Sequence, residues 1–332
     1  MSANGKSILL FITFLTFLAL VSAVLFNINA IIDSFKTYDG TDVISNDINL
    51  ELNSVKIDGE TYMPRKAVRN YLIMGIDEFG DTDHQGLAQT DFIMILSFDS
   101  NNDTYTLIHI NRDTMAEIDL YDYYDGTKYT TVAQLALSHV DGTYKKVTNY
   151  RKCENTAKAV SKLLYGIKFD GYVSMTMDAV RTIVDYIGGV PLLVEEDLTE
   201  IDERLVSGDT VMLDGDLALN LIRARGGLTD SSNVSRMKRQ KAFLDAFITR
   251  IDTLNLGEET LMRCYDQTSQ YMVAENGIDT FYEIFGRMST SERGEIIDLP
   301  GEAIKGEKYI EFHVDEEGLK GILKDVFYEG IE

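Results

Sequence analysis

From Ile8 to Phe26 the chain carries no charged side chain and consists mostly of Leu, Phe, Ile, Val and Ala. At 1.5 Å per helical residue, about 20 such residues cross a bilayer core of roughly 30 Å. The run is longer than a usual signal-peptide core and no A-x-A-like site precedes Asn27, so the pattern favours an uncleaved transmembrane anchor at 7–32 over a cleaved leader. Lys6 and the free amine lie before the span, and Asp33, Asp39 and Asp42 after it. That asymmetry predicts a cytoplasmic tail at 1–6 and an extracytoplasmic remainder. Residues 33–66 are polar and weakly patterned, as a stalk or short hairpin would be, and the main domain is expected over 67–331.

Within that domain short apolar runs alternate with longer amphipathic ones. Asn70–Gly75 reads as a buried strand, the run after Asp91 as a second, and Thr104–Ile110 as a third. Residues 131–166 read as helices, with Ala157, Val160, Leu163 and Leu164 as a core stripe. Residues 169–174 predict another strand. Met177–Ile187 predicts an amphipathic helix stopped by Gly188-Gly189. Val190–Val194 predicts a strand, and 216–222 a helix or strand delivering Arg223 and Arg225. A long helix is expected from about Asn233 to Leu254, with Asn233 or Ser235 as its cap. Further helix is expected over 258–289, strands at 294–298 and 308–314, and a last helix capped by Asp315. This alternation predicts an α/β fold, a three-layer α-β-α sandwich.

Charge changes the picture at one place. The formal net charge is -23, yet residues 221–241 hold Arg223, Arg225, Arg236, Lys238, Arg239 and Lys241 against the single acid Asp230. Arginine matches phosphate oxygens bidentately. On a strand Arg223 and Arg225 would leave one face; on the following helix Arg236, Arg239 and Gln240 share a face. The stretch reads either as a cationic clamp or as a solvated basic face paired with nearby acids. Three strand ends also carry charge: Asp77, Asp91 and the pair Arg112–Asp113. Two carboxylates leaving neighbouring strands suit Mg²⁺, which takes one or two carboxylates plus phosphate oxygens; ordinary turn chemistry is the other reading. The acidic balance argues against nucleic-acid binding. Cys153 and Cys264 allow one disulfide or two free thiols, and His84, His109, His139 and His313 show no metal-ligand spacing.

The segments NYLIMGIDEFG, QTDFIMILSFDSNNDTYTLIHINRDTMAEI, FDGYVSMTMDAVRTIVDYIGGVPLLV, LDGDLALNLIRAR and SSNVSRMKRQKAFL occur in that order. In them the chain resembles the LytR-CpsA-Psr family, membrane-anchored cell-wall ligases of mostly Gram-positive bacteria. The resemblance implies an α/β sandwich with a central mixed sheet and a hydrophobic groove for lipid. It implies an Mg²⁺-dependent phosphotransferase that moves a glycopolymer from an undecaprenyl pyrophosphate carrier at the cytoplasmic membrane onto peptidoglycan, through a phosphodiester. Teichoic acid, capsule and other wall polysaccharides share that chemistry. By the same resemblance Asp77 and Asp91 fall at the magnesium ligands, and Arg112, Arg223, Arg225 and Arg236 at the pyrophosphate contacts. Gln240 falls at the position that closes the head-group pocket, and Arg239 before it is counted with the pyrophosphate-binding residues. Asp113 would orient Arg112 or accept the acceptor's proton.

The chain departs from the family pattern at Gln89, where an arginine is frequent, at Asn111, where proline is usual, and at Asn233, where aspartate is frequent. The departures keep two other readings in view, a non-catalytic polyprenyl-pyrophosphate binder that regulates the envelope, and a pyrophosphatase.

Overall fold

The structure is a computed structural model that describes residues 54–76, 89–121, 126–139, 149–224, 233–254, 256–307 and 309–331. The expected anchor at 7–32, Asp77 and Arg225 lie outside the described residues. Among the described residues no helix is long and apolar enough to cross a membrane.

The described residues open with strands β1 (Val55–Ile57) and β2 (Glu60–Pro64), the hairpin expected as one option for 33–66. Next come β3 (Val68–Ile76), β4 (Thr90–Asp99), β5 (Thr104–Ile110), β6 (Met115–Tyr121) and β7 (Lys128–Gln134). Helix α1 (Asn149–Leu163), β8 (Gly171–Thr176), α2 (Met177–Tyr186), β9 (Val190–Leu193), β10 (Thr210–Leu213), α3 (Gly215–Arg223) and α4 (Asn233–Leu254) make the middle. The remainder is α5 (Glu258–Thr268), β11 (Met272–Ala274), α6 (Ile278–Thr290), β12 (Glu292–Asp298), β13 (Gly301–Lys305), β14 (Ile310–Val314), α7 (Glu316–Ile322) and β15 (Tyr328–Gly330).

The central sheet has six strands in the order β11-β8-β3-β4-β5-β12. It is mixed: β3 pairs parallel with β8 and β5 parallel with β12, while the β3–β4, β4–β5 and β8–β11 ladders are antiparallel. Successive strand residues point to opposite faces. Leu72, Met74, Ile93, Ile95, Ile108 and Ile110 accordingly build one core with α1 and the C-terminal α7. Tyr71, Met94, Leu96, Phe98, Tyr105 and Leu107 build a second with α2, α4, α5 and α6. Helices therefore cover both faces, as the α/β expectation requires. Cys153 lies in the first core and Cys264 in the second, and both are buried free thiols.

Helix α2 ends where the sequence predicts. Gly188 and Gly189 have φ of +74° and +88°, and the Gly189 N–H donates to the Val184 carbonyl at 2.9 Å. That left-handed turn is open to glycine and costly for other residues. Asp315 caps α7 by accepting the Glu317 N–H at 3.1 Å.

Two expectations need correction, and one open alternative is decided. Residues 131–134 are strand rather than helix: they finish β7, which pairs antiparallel with β6. The segment is Thr- and Val-rich and largely exposed, so β-branched propensity decides it where no apolar stripe exists. Residues 258–289 form two helices separated by β11. The residues before Arg223 form a helix, because Asp214 caps it through the Leu217 N–H at 2.7 Å and Leu217, Leu219, Leu221 and Ile222 are buried at helical spacing. Arg223 therefore closes a helix instead of leaving a strand end.

Candidate active site

The site begins with an irregularity in the β3–β4 ladder. Gly75 faces Phe92 but Ile76 faces Thr90, so the register skips Asp91. An extra residue of this kind bends the strand and re-aims side chains. Both Asp91 and its neighbour Phe92 consequently line one cavity, where strict alternation would part them. Gly75 permits the close approach, since a Cβ there would lie 2.9 Å from the Phe92 Cβ.

The turn after β5 supplies the next two groups. The Asn111 side chain accepts the Asp113 N–H at 2.9 Å, and the Thr114 N–H reaches the Asn111 carbonyl at 3.0 Å. Asn111 thus makes by a side-chain bond the turn that proline would make by its ring. The turn presents Arg112 to Asp91, with which it forms an ion pair. Arg112 Nη2 donates to Gln89 Oε1 at 2.6 Å, and Nε lies 3.3 Å from Asp113 Oδ1. Asp113 also accepts from Gln134 Nε2 at 3.1 Å, and the same Gln134 amide donates to the Ile310 carbonyl at 2.8 Å. One guanidinium is therefore held by groups from β4, its own turn and the residue before β4, with β7 bracing the turn.

Helix α4 closes the site from above. Arg236, Gln240, Phe243, Leu244 and Phe247 fall at helical spacing, and all line the cavity. Arg236 is 4% exposed and its Nη1 lies 3.8 Å from Asp91 Oδ2. Gln240 Nε2 reaches the Ile222 carbonyl at 3.5 Å. Arg239, on the neighbouring flank, donates from Nε to the Leu221 carbonyl at 3.2 Å, from Nη1 to Ser235 Oγ at 2.6 Å and from Nη2 to the Ala224 carbonyl at 2.5 Å. Arg223, at the end of α3, is exposed at the cavity rim. The cavity encloses about 430 Å³. Beyond the Asp91–Arg236 end its walls are apolar, from Ile73 and Met175 of the sheet and Met177, Val180 and Ile183 of α2.

The structure thus brings Asp91, Arg223, Arg236 and Gln240 onto the wall of one cavity, with Arg112 joined to them by its ion pair with Asp91 and Asp113 joined through Arg112. Gln134 and Gln89 join them, and sequence reasoning gave neither a role in holding the site. Gln89 was visible only as a departure from a pattern, and nothing in a Thr-rich strand marks Gln134. Among the described residues no group of three or more His, Cys, Asp or Glu is placed to hold a metal. Asp91 is a carboxylate at the cavity wall, where Mg²⁺, usually bound by one or two carboxylates plus substrate phosphate oxygens, would compete for it with Arg112 and Arg236.

The model of the LytR_cpsA_psr family matches residues 27–326 of the chain. The chain belongs to the LytR_cpsA_psr family. Within this family, a teichoic acid transferase of Bacillus subtilis (strain 168), "Polyisoprenyl-teichoic acid--peptidoglycan teichoic acid transferase TagV", is 25% identical over 206 residues, 60% of this chain and 48% of that protein. The chain spans about half the length of the curated relatives it matches. Among solved structures of the fold, "TagT bound to LIIa-WTA" superposes with a TM-score of 0.59 at 21% identity, covering 78% of this chain and 89% of that one. The structure of "LytR-CPS2A-psr family protein YwtF (TagT) with bound octaprenyl pyrophosphate lipid" gives 0.55 at 20% identity, covering 78% and 89%. At these identities the LytR_cpsA_psr fold is what the two structures share with this chain.

Proposed function

We propose that this protein transfers a phosphate-linked glycopolymer from a polyprenyl pyrophosphate carrier to a hydroxyl of peptidoglycan, forming a phosphodiester. The observation that carries this reading is the single stripe on α4: Arg236 and Gln240 at its N-terminal end, Phe243, Leu244 and Phe247 beyond, all on one cavity. A wall that is cationic at one end and apolar at the other matches an amphiphile with an anionic head and a hydrocarbon tail. The names of the relative and of the lipid-bound neighbour, a teichoic acid transferase and an octaprenyl pyrophosphate complex, support the same substrate class.

In the reaction, the acceptor hydroxyl oxygen bonds to the phosphorus that carries the glycopolymer. The bond from that phosphorus to the bridging oxygen breaks, and polyprenyl phosphate leaves with the electron pair. The hydroxyl proton passes to a carboxylate or to water. Such transfer depends on positioning and charge stabilisation far more than on covalent help from the protein. Arg112, Arg223 and Arg236 neutralise the pyrophosphate oxygens, and Arg225 belongs to the same set. Asp113, held between Arg112 and Gln134, orients Arg112. Asp91, with Asp77, would hold Mg²⁺, which would supply Lewis-acid stabilisation of the pyrophosphate. Residues 7–32 anchor the chain in the cytoplasmic membrane with the domain outside, next to both the carrier lipid and the wall.

The test is to incubate the full chain with a short-chain polyprenyl pyrophosphate-linked saccharide, peptidoglycan fragments and Mg²⁺, and to follow products by mass spectrometry. A muramyl phosphodiester is expected, falling about 10²–10³-fold in Asp91→Ala, the scale of losing one charge-stabilising group. Polyprenyl phosphate release without a joined product would make the protein a pyrophosphatase. Tight binding with no product would make it a binder only.

A further inference from the structure

Arg239 sits in the basic stretch beside Arg236 and would pass in the sequence for another phosphate ligand. Its surroundings point elsewhere. It is 4% exposed, and all three guanidinium nitrogens donate inside the protein. Two of the acceptors are the carbonyls of Leu221 and Ala224, in the last turn and at the cap of α3. Gln240 adds a longer contact to the Ile222 carbonyl at 3.5 Å. The last carbonyls of a helix have no partner within the helix, and a cation there also complements the negative end of the helix dipole. Among the described residues that line the cavity, α4 contributes Arg236 and Gln240 but not Arg239.

We infer that Arg239 is a positioning residue, a guanidinium cap that docks the C-terminal end of α3 onto α4 and so sets where Arg223 stands at the cavity rim. Three consecutive facts carry this. Arg223 is the last residue of α3, directly before the cap residue Ala224, so its side chain follows that helix end. The helix end is fixed by Arg239 at the residues on either side, Leu221 and Ala224. The third donor goes to Ser235 of the same α4, one turn away, which holds the guanidinium plane across the gap between the helices. Arg236 faces Asp91 while Arg239, three residues on, faces α3, so adjacent basic residues of one helix divide into a cavity group and a scaffold group. The inference rests on the proposed pyrophosphate site for its functional consequence, but the capping role stands on the contacts alone.

The test compares Arg239→Lys, Arg239→Ala and the milder Ser235→Ala in the full chain, with inorganic pyrophosphate and geranyl pyrophosphate as probes. Lysine keeps the charge but cannot bridge separate acceptors with a planar fork. Expected results are a loss of pyrophosphate affinity of about tenfold in both Arg239 variants and a smaller loss in Ser235→Ala. In an Arg223→Ala background the Arg239→Ala loss should shrink below about threefold, because the two act through one helix end. Without any ligand, hydrogen exchange across 217–224 should rise in both Arg239 variants. Should Arg239→Ala not fold, Arg239→Lys and Ser235→Ala carry the same comparison. Retained affinity in Arg239→Lys, additive losses with Arg223→Ala, or unchanged ligand-free exchange would each overturn the inference. A wild-type chain that binds neither probe would sink the proposed function, while the exchange measurement still decides the cap.

Discussion

The two faces of the central sheet are made by the same strands and do different things. On one face Leu72, Ile93, Ile95, Ile108 and Ile110 are sealed under α1 and the C-terminal helix. On the other, Tyr71, Met94, Leu96 and Leu107 are covered by α2 and α4–α6, but between α2, α4 and the end of β3–β4 the covering stays open as a cavity of about 430 Å³. Strand composition does not separate them, since both sets are large apolar side chains. The difference lies in what the helices bring. The first face receives residues that fill space, such as Val160 and Leu323. The second receives a helix whose stripe begins with Arg236 and Gln240, which cannot be buried against Phe and Met without polar company. Asp91, re-aimed by the skipped register, is that company. Incomplete packing on one face is therefore tied to a charge cluster that the packing itself could not absorb.

The strongest way to break this contrast is to damage the sealed face. Ile95→Ala should lower unfolding free energy by about 2–4 kcal/mol, the usual cost of a buried large-to-small change. Binding of geranyl pyrophosphate per folded molecule should stay as in the wild type, as measured by denaturant melts and calorimetry. A comparable fall in intrinsic affinity would mean the two faces are coupled. A smaller effect is expected from filling the open face. Leu244→Trp places a larger ring in the cavity wall and should weaken a long polyprenyl pyrophosphate about tenfold, at the scale of a methylene or two of lost burial. Inorganic pyrophosphate, which uses only the polar end, should bind as before; equal losses for both would show that the cavity is not a tail site.

The smallest effect concerns the edge of the open face. Asp298 of β12 receives Lys241 of α4 at 3.0 Å and pairs with the buried His109 at 3.4 Å, whose ring lies 5.1 Å from that of Phe92. The nearby His109 ring, followed by Lys241, holds the Asp298 carboxyl below the usual carboxylate range. A carboxylate with a lowered folded pKa stabilises the fold above its unfolded pKa, about 4, and that contribution disappears as pH falls through the folded value. Asp298→Asn should therefore lower the melting temperature slightly at pH 7 and flatten its fall from pH 5 to pH 2. An unchanged acid limb would remove Asp298 from the latch between α4 and the sheet.

Much of this was readable from pattern. The β3, β4 and β5 runs are apolar because each strand is buried on both faces, and Gly188-Gly189 marks the end of α2 by its left-handed turn. The β6–β7 hairpin was not readable, because a mostly exposed Thr-rich strand gives no hydrophobic period. In the site, Asp91, Arg112, Arg223 and Arg236 stood out as charges at element ends. Gln134 did not, since an amide acquires its meaning only when Asp113 and the Ile310 carbonyl arrive beside it from distant segments.

What the sequence by itself determined was the buried strands β3, β4 and β5, the helices α2 and α4, the basic stretch within an acidic chain, and the apolar stripe that follows Arg236 on α4. These depend on neighbours within a few residues, where periodicity and charge are local properties. Tertiary structure decided the rest: the skipped register that turns Asp91 towards Phe92 and the cavity, the pairing of Arg112 with Gln89 and Asp113, and the separate duties of Arg236 and Arg239. Three residues apart on one helix, those arginines carry the same charge in the sequence. Only the packing of α4 between the sheet and the end of α3 gives one a carboxylate and the other a row of backbone carbonyls.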